Sequence, residues 1–104
     1  MQRVFVSIGS NIAPETNLDL VKIHLDNFFE CEYSGTYETK SEGFNGNSFL
    51  NAVVSFNTDI KPLELKEVLK SIETEMGRTD NQKGMSDRVI DLDIILYGDS
   101  VINE

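Results

Sequence analysis

Two aspartates separated by a single leucine interrupt an otherwise apolar run at residues 89–97. The density of Val, Ile and Leu in this run predicts a buried β-strand. Successive side chains of a strand point to opposite faces, so Asp91 and Asp93 share one face while the aliphatic residues share the other. The chain must therefore build a sheet with one apolar face and one face that presents two acids side by side.

This acid pair needs electrostatic compensation, because burial and a neighbouring like charge both disfavour ionised carboxylates. A divalent cation would supply it, and hard cations such as Mg²⁺ prefer carboxylate oxygens. Pairing with Arg78 or Arg88 is the structural alternative, and the two hypotheses predict opposite effects of an Asp-to-Asn replacement. Removing an unpaired acid should be neutral or stabilising, whereas removing the partner of an arginine should be destabilising. The sequence favours a metal site at Asp91 and Asp93.

The 104 residues have the composition of one ordinary globular domain with a single modest core. Nine basic against eighteen acidic residues give a net charge of −9, which disfavours binding to nucleic acid. No apolar run approaches the ~20 residues that span a bilayer, and the N-terminus lacks a signal sequence, so we expect no membrane partner. Cys31 is the only cysteine, which excludes an intrachain disulfide and fits a cytoplasmic protein. Nothing in the sequence predicts an oligomeric state.

Hydrophobic periodicity predicts four strands and two helices in the order βαββαβ. The strands are expected at residues 3–7, 31–38, 49–57 and 89–97. Each helix opens at a proline, and the second ends at Gly77. Apolar side chains recur at helical spacing on one face of each helix, at Leu18, Val21, Leu25, Phe28 and Phe29 and at Leu65, Val68, Leu69, Ile72 and Met76. The expected fold is α+β, a ferredoxin-like βαββαβ sandwich with an antiparallel sheet and both helices on one face.

The third predicted strand and two long loops indicate a ligand site on the other sheet face. Alternate side chains of this strand are apolar and suited to pack under the helices, which turns Phe49 and Asn51 to the open side. Asn51 offers a donor and an acceptor, and Phe49 offers a stacking plane. This pair suits a flat heterocycle with amide-like edges, although an exposed edge pair has the same pattern. The loops at residues 39–48 and 79–87 are long, polar and contain glycine, so we expect lids over a site.

Several segments together carry a resemblance to a known family. They are Ile8-Gly9-Ser10-Asn11, Gly35-Thr36-Tyr37-Glu38-Thr39, Phe49-Leu50-Asn51-Ala52-Val53-Val54, Ile72-Glu73 with Gly77-Arg78, and Arg88-Val89-Ile90-Asp91-Leu92-Asp93-Ile94-Ile95-Leu96-Tyr97-Gly98. In this order, over nearly all of its length, the chain resembles the 6-hydroxymethyl-7,8-dihydropterin pyrophosphokinases of the folate pathway. The aspartate strand preceded by Arg88 is the most specific of these elements.

The resemblance implies a function and a role for each matching residue. Members of this family transfer the β,γ-pyrophosphoryl group of ATP to the hydroxymethyl oxygen of the pterin, giving AMP and the pterin diphosphate. The implied ligands of two Mg²⁺ ions are Asp91 and Asp93, which form the implied catalytic group with Arg78 and Arg88. The resemblance further implies pterin-binding residues at Thr39, Gly43, Phe49 and Asn51 and ATP-binding residues at Glu73, Arg78, Lys83 and Arg88.

Two features depart from the family pattern. The family's loop before the aspartate strand carries further arginines and a tryptophan, whereas this chain has Lys83 with Asp80 and Asp87 on either side. Lys83 can replace one arginine as a point charge, but without its bidentate fork. The family also continues beyond the point at which this chain stops, so we expect residues 1–104 to be a single pyrophosphokinase-like domain that lacks the family's C-terminal third. The alternative function is a non-catalytic pterin- or nucleotide-binding relative that has lost the phosphate-binding loop.

Overall fold

Two helices and six strands follow one another in the structure, a computed structural model that describes residues 1–41, 46–79 and 87–101. The elements are β1 (Gln2–Ser10), α1 (Pro14–Asp26), β2 (Glu32–Tyr33), β3 (Tyr37–Thr39), β4 (Phe49–Thr58), α2 (Pro62–Glu75), β5 (Asp91–Tyr97) and β6 (Ser100–Val101). Neither helix in these ranges is long and apolar enough to cross a membrane.

The strands form one antiparallel sheet in the order β2–β4–β1–β5–β6, and β3 pairs with β4 next to β2. Strand β1 therefore lies at the centre, between β4 and β5. Counting β2 and β3 as one edge, this is the strand order of the ferredoxin-like sandwich, and the predicted α+β fold is confirmed. Strand β6 is an additional edge strand that the hydrophobic pattern does not predict.

The predicted strand at residues 31–38 is two short strands, because its middle leaves the ladder. β2 pairs with the second half of β4 and β3 with the first half. Between them, the hydroxyl of Ser34 accepts a hydrogen bond from the N–H of Val53, and the N–H of Ser34 donates to the carbonyl of Val53, both at 2.8 Å. A side-chain oxygen thus replaces a backbone carbonyl, and the edge is interrupted without leaving Val53 unsatisfied.

The core lies between the sheet and the two helices, as the alternation of the strands predicts. Its buried side chains are Val4, Val6 and Ile8 of β1, Ala52, Val54 and Phe56 of β4, Leu92 and Ile94 of β5, and Leu18, Val21, Leu25, Leu65, Leu69 and Ile72 of the helices. The same alternation turns Asp91, Asp93 and Asn51 to the opposite face, which neither helix covers. This second face is called the open face below.

The helical spacing of apolar residues predicts Phe28 in the core stripe of α1, and this prediction is wrong. The helix ends at Asp26, so Phe28 lies beyond the last helical turn and its side chain is 55% exposed. Phe29 does enter the core, where its ring stacks on Phe56 with ring centroids 3.9 Å apart. The helical spacing of apolar residues applies only as far as the helix extends.

The end of α2 determines the position of Arg78. Gly77 has a φ of +100°, its N–H donates to the carbonyl of Thr74, and the N–H of Arg78 donates to the carbonyl of Glu73, both at 3.0 Å. These two bonds form a Schellman cap, in which the left-handed residue is usually glycine. Because the cap turns the chain back at this point, the side chain of Arg78 reaches that of Glu73 on the last helical turn.

We expect Gly77→Ala to lower the free energy of unfolding by about 1–2 kcal/mol, because a left-handed residue that carries a Cβ is strained. The added methyl group meets nothing within 4 Å, so the effect is conformational. Gly35→Ala is the matched control, since the φ of Gly35 is not left-handed and its added Cβ also meets nothing within 4 Å. Urea unfolding measures the difference, and equal losses in both variants would contradict the role of the cap.

Candidate functional site

Four neighbouring strands place a row of residues across the open face. In the register of the sheet Tyr37 is opposite Asn51, Asn51 is opposite Gly9, and Gly9 is opposite Asp91. Asp93 lies two residues further along β5 on the same face. Because directly opposite residues of antiparallel strands share a face, the predicted pterin residues and the predicted metal residues lie on one surface, on either side of Gly9.

An ion network surrounds Asp91 at one end of the row. Nη1 of Arg78 lies 2.8 Å from Oδ1 of Asp91 and 2.7 Å from Oε2 of Glu73. Nη1 of Arg88 lies 2.8 Å from the other oxygen of Asp91, Oδ2. These side chains are only 12–22% exposed, so salt and water screen them less than a surface pair. Four predicted site residues are therefore in direct contact, and Asp91 is held between two guanidinium groups.

Glu73 joins the end of α2 to β5. Its Oε2 accepts hydrogen bonds from Nη1 of Arg78 and from the N–H of Leu92, each at 2.7 Å. Burial raises the pKa of Glu73 and the negative charge of Asp91 adds to the rise, while the Leu92 N–H and the Arg78 guanidinium act in the opposite direction. The resemblance implies that Glu73 binds ATP; its contacts here fix Arg78 and the first residues of β5.

Hydrogen bonds from Asn11 connect the segment before β5 to the end of β1. It is buried, its Oδ1 accepts a hydrogen bond from the N–H of Arg88 at 2.7 Å, and its own N–H donates to the carbonyl of Arg88 at 3.1 Å. Its Nδ2 donates to Oδ1 of Asp87 at 2.7 Å and to the carbonyl of Asn47 at 3.1 Å. This structural role of Asn11 is not among the features predicted from the sequence. The signal available was a polar residue directly after a buried strand.

Three predicted site residues meet at the other end of the row. Nδ2 of Asn51 donates to Oγ1 of Thr39 at 2.9 Å and lies 3.2 Å from the carbonyl oxygen of Tyr37 and 3.4 Å from that of Phe49. Phe49 is itself opposite Thr39 in the register. The structure thus brings Thr39, Phe49 and Asn51 together, and the width of β1 separates them from the ion network.

Two predicted site residues, Gly43 and Lys83, lie outside the described residues. The same holds for residues 42–45 and 80–86 of the two predicted lids. The roles given to these residues remain predictions from the sequence.

The carboxylates of Asp91 and Asp93 fit a magnesium ion that is shared with a phosphate ligand. Mg²⁺ is commonly held by one or two carboxylates together with substrate phosphates and water. Within the part of the chain that the structure describes, no group of three or more His, Cys, Asp or Glu side chains is placed to hold a metal. Asp91 and Asp93 are both half-buried on the open face.

The contrast between metal ligand and structural partner does not hold for Asp91. Both of its oxygens are 2.8 Å from an arginine, so the premise of an unpaired acid is wrong for this residue. The sequence could not decide this point, because Arg78 reaches Asp91 only through the cap of α2. Asp91 is thus a structural partner of two arginines, and its role in metal binding stays a prediction.

Comparison with known proteins identifies the family. The family model described as 7,8-dihydro-6-hydroxymethylpterin-pyrophosphokinase (HPPK) matches residues 5–103. The chain belongs to the HPPK family.

Individual members of the HPPK family align along nearly the whole chain. The 2-amino-4-hydroxy-6-hydroxymethyldihydropteridine pyrophosphokinase of Aquifex aeolicus is 40% identical over 105 residues, which cover 98% of this chain and 65% of the relative. The protein of the same name from Porphyromonas gingivalis is 33% identical, over 93% of this chain and 70% of the relative. A folate synthesis bifunctional protein of Arabidopsis thaliana is 37% identical, over 93% of this chain and 21% of the relative. The chain spans about two thirds of the length of the first two relatives.

We expect Asp91→Asn to lower the free energy of unfolding by about 1–3 kcal/mol, because two partly buried guanidinium groups lose their charged partner. The change keeps the shape of the side chain, so packing is not disturbed. Asp59→Asn is the matched control, since the carboxylate of Asp59 pairs with the N-terminal amine on the surface and should contribute little. Thermal melts in chelator compare the two, and an Asp91→Asn protein as stable as the wild type would contradict the network.

The raised pKa of Glu73 predicts a pH-dependent effect of removing Arg78. A carboxyl with a folded-state pKa above its unfolded value contributes stability that is complete below the unfolded value and is lost as the pH rises through the folded pKa. Arg78 lowers the pKa of Glu73, so Arg78→Met should raise it further and increase this loss. We expect the two proteins to differ least near pH 4 and increasingly above about 4.5, the ordinary pKa of this carboxyl.

Urea unfolding between about pH 4 and pH 7 measures this difference. Arg3→Met is the control, because Arg3 pairs with the largely exposed Glu32 on the surface and should show a flatter dependence. A difference between wild type and Arg78→Met that shrinks as the pH rises would contradict the assignment.

Proposed function

We propose that this chain transfers the β,γ-pyrophosphoryl group of ATP to 6-hydroxymethyl-7,8-dihydropterin, giving AMP and the pterin diphosphate for folate biosynthesis. The names of the relatives from A. aeolicus and P. gingivalis describe a pyrophosphokinase of this pterin. The observation that carries the proposal is the row on the open face. It sets a hydrogen-bonding amide, Asn51, and an acid, Asp91, on either side of Gly9.

The acidic end of the row suits the triphosphate. Asp91 and Asp93 would hold two Mg²⁺ ions together with phosphate oxygens. When bound, the ions neutralise phosphate charge and increase the acidity of the attacking hydroxyl group. Arg78 and Arg88 offset the negative charges of Glu73 and Asp91 at this end of the row. A chain of net charge −9 needs this compensation where it binds a polyanion.

Both arginines contact Asp91 before any ligand is bound, so their orientation is already restricted. A guanidinium group carries five N–H donors in a plane and can contact a phosphate while it keeps a carboxylate contact. Glu73 holds Arg78 from the opposite side. The chain therefore presents two guanidinium groups at fixed positions, and less ordering is required when the nucleotide binds.

The other end of the row suits a flat heterocycle. The amide of Asn51 donates a hydrogen bond to Thr39 of β3. Its oxygen and a ring carbon of Phe49 both lie within 4 Å of the position that a Cβ would take on Gly9. Neighbouring strands are ~4.8 Å apart, so the backbones of Asn51 and Asp91 are separated by about 10 Å, two such spacings. A bicyclic pterin bound at Asn51 can span this distance with its hydroxymethyl arm toward the acids.

The transfer requires position and charge from the protein and no covalent intermediate. The hydroxymethyl oxygen attacks the β-phosphorus and releases its proton to solvent. The bond from that phosphorus to the oxygen shared with the α-phosphate breaks, and AMP leaves with the bonding electrons. Asn51 and Phe49 orient the acceptor, while the ion network supplies the charge that stabilises the transferred group.

Product analysis separates this proposal from the alternative of a non-catalytic pterin- or nucleotide-binding relative. The chain is incubated with Mg²⁺, ATP and the pterin, and AMP is measured by chromatography. AMP formation that requires both substrates and Mg²⁺ supports transfer. Pterin binding by calorimetry without AMP formation supports the non-catalytic alternative, and AMP formation from ATP alone would contradict transfer.

We expect Asn51→Ala to weaken pterin binding about tenfold or more, because an unpaired polar edge in a closed site costs ~1–3 kcal/mol. Mg²⁺-dependent binding of a non-hydrolysable ATP analogue should be unchanged. Asn57→Ala is the matched control on the same strand, six residues away and exposed. Calorimetry measures both ligands, and equal pterin affinity in the two variants would contradict the assignment.

We expect the reverse pattern for Asp93→Asn, because it removes one of the two carboxylates proposed to bind the metal. Mg²⁺-dependent binding of the ATP analogue should be lost, while pterin binding measured without metal should persist. Asp99→Asn controls for the loss of a negative charge, since Asp99 is exposed in the turn after β5. Nucleotide binding that is retained in Asp93→Asn would contradict the metal role.

A further inference from the structure

The turn between β1 and α1 is held in place by its own buried polar side chains. The carbonyl oxygen of Ile12 accepts hydrogen bonds from Oγ of Ser10 at 3.1 Å and from Nδ2 of Asn17 at 2.5 Å, and both donors are buried. Ala13 has a φ of +40°, a left-handed conformation that is strained in a residue with a Cβ. Strain of this kind persists only where surrounding contacts determine the conformation. The turn is therefore a fixed support for the residues that contact it.

Asn11 lies in this turn, and both ends of its buried amide contact other segments of the chain. Its Oδ1 and its backbone N–H bind the backbone of Arg88. Its Nδ2 donates to the carbonyl of Asn47 at 3.1 Å and to Oδ1 of Asp87 at 2.7 Å. The bond to Asp87 is the shorter one, and a carboxylate oxygen is a stronger acceptor than a carbonyl. Two successive residues, Asp87 and Arg88, are thus attached to the turn.

The negative charge of Asp87 is unfavourable at the end of the row that we propose for the triphosphate. Asp87 precedes Arg88, whose guanidinium group contacts Asp91 there. A further carboxylate near a bound polyanion repels it. Charge alone therefore predicts that Asp87 weakens nucleotide binding. The hydrogen bond to Asn11 acts in the opposite direction, because it restricts the backbone from which the side chain of Arg88 extends.

We propose that Asn11 and Asp87 are positioning residues for nucleotide binding, which act through Arg88. Three hydrogen bonds hold the segment before β5 on the turn, two at the backbone of Arg88 and one at the side chain of Asp87. With its backbone fixed, Arg88 keeps Nη1 at 2.8 Å from Oδ2 of Asp91. The inference rests on the proposed function and deepens it, since it assigns the orientation of one phosphate-binding guanidinium group to the turn after β1.

Two substitutions of Asp87 separate its charge from its hydrogen bond. Asp87→Asn removes the charge and keeps an oxygen that can accept from Nδ2 of Asn11. Asp87→Ala removes both. If only the charge matters, both variants should bind a nucleotide more tightly than the wild type. If the position of Arg88 matters, Asp87→Ala should bind it more weakly, so the two explanations predict opposite signs for this variant.

An exchange of the two side chains tests whether the pair itself is required. Asn11→Asp keeps the acceptor for the N–H of Arg88, but it sets a second carboxylate oxygen against Asp87 and the carbonyl of Asn47. When Asp87→Asn is added, the amide at residue 87 can turn its NH₂ group toward the carboxylate at residue 11. The double variant has the composition and net charge of the wild type, and it restores one hydrogen bond between these positions.

Calorimetry with a non-hydrolysable ATP analogue plus Mg²⁺ tests the proposal. We expect affinity to fall about fivefold in Asp87→Ala, to stay within about twofold of the wild type or rise in Asp87→Asn, and to fall more than about tenfold in Asn11→Asp. The double variant should recover part of the last loss. Affinity for 6-hydroxymethylpterin should stay within about twofold in Asp87→Ala, whereas general damage to the fold would lower both affinities. Asp59→Ala controls for the removal of a surface carboxylate.

A measurement without ligand separates this inference from the proposed function. In ¹⁵N spectra of the unliganded chain, the backbone amide proton of Arg88 should exchange faster in Asp87→Ala than in wild type or Asp87→Asn, because the segment opens more often. If Asp87→Ala matches Asp87→Asn in exchange and in nucleotide affinity, the inference is overturned and the proposed function stands. If the wild type binds no nucleotide analogue, the proposed function fails and the inference fails with it. Should Asn11→Asp not fold, the two Asp87 variants decide.

Discussion

The carboxylate of Asp91 is the point at which three separate parts of the chain meet. Arg78 arrives there from the cap of α2, and its position depends on the left-handed Gly77. Arg88 arrives from the segment before β5, where Asn11 holds its backbone by two hydrogen bonds. Without this shared anion, two guanidinium groups would face each other across a partly buried surface and repel. The geometry of the candidate site is therefore inseparable from the packing of α2 and β1 against β5, and a change at the site is also a change in stability.

The two ends of the row on the open face differ in their physical chemistry. One end holds charge, and its side chains neutralise one another before a ligand is present. The other end holds an uncharged amide whose orientation comes from hydrogen bonds to β3. The central strand separates these ends and contributes no bulky side chain at Gly9. A ligand with a polar flat ring and a negatively charged partner matches this division. For this reason the membership of the HPPK family and the geometry support the same proposal.

The alternation of apolar and polar residues was sufficient to predict which side chains of a strand face the core. The alternation of β5 placed both acids on the face opposite Leu92 and Ile94, and the structure confirms it. Features that depend on contacts between distant residues were beyond the sequence. Phe28 continued the helical spacing, but the helix had already ended. Glu73 bonds the N–H of Leu92 at a separation of 19 residues, and Asn11 bonds Arg88 at a separation of 77, and no local pattern encodes such partners. The metal role of the two acids, and the roles of Gly43 and Lys83, remain predictions.

The strict alternation within β5 constrains how this chain can change during evolution. Neighbouring residues of the strand lie on opposite faces of the sheet. A substitution on one face therefore leaves the side chains of the other face in place. A one-residue slip of β5 against β1 is different, because it would turn both acids beneath the helices and expose Leu92 and Ile94. A residue inserted between Arg88 and Asp91 would move these two partners of the ion pair further apart in the chain than three residues. Both the register of β5 and the residue count from Arg88 to Asp91 are therefore constrained.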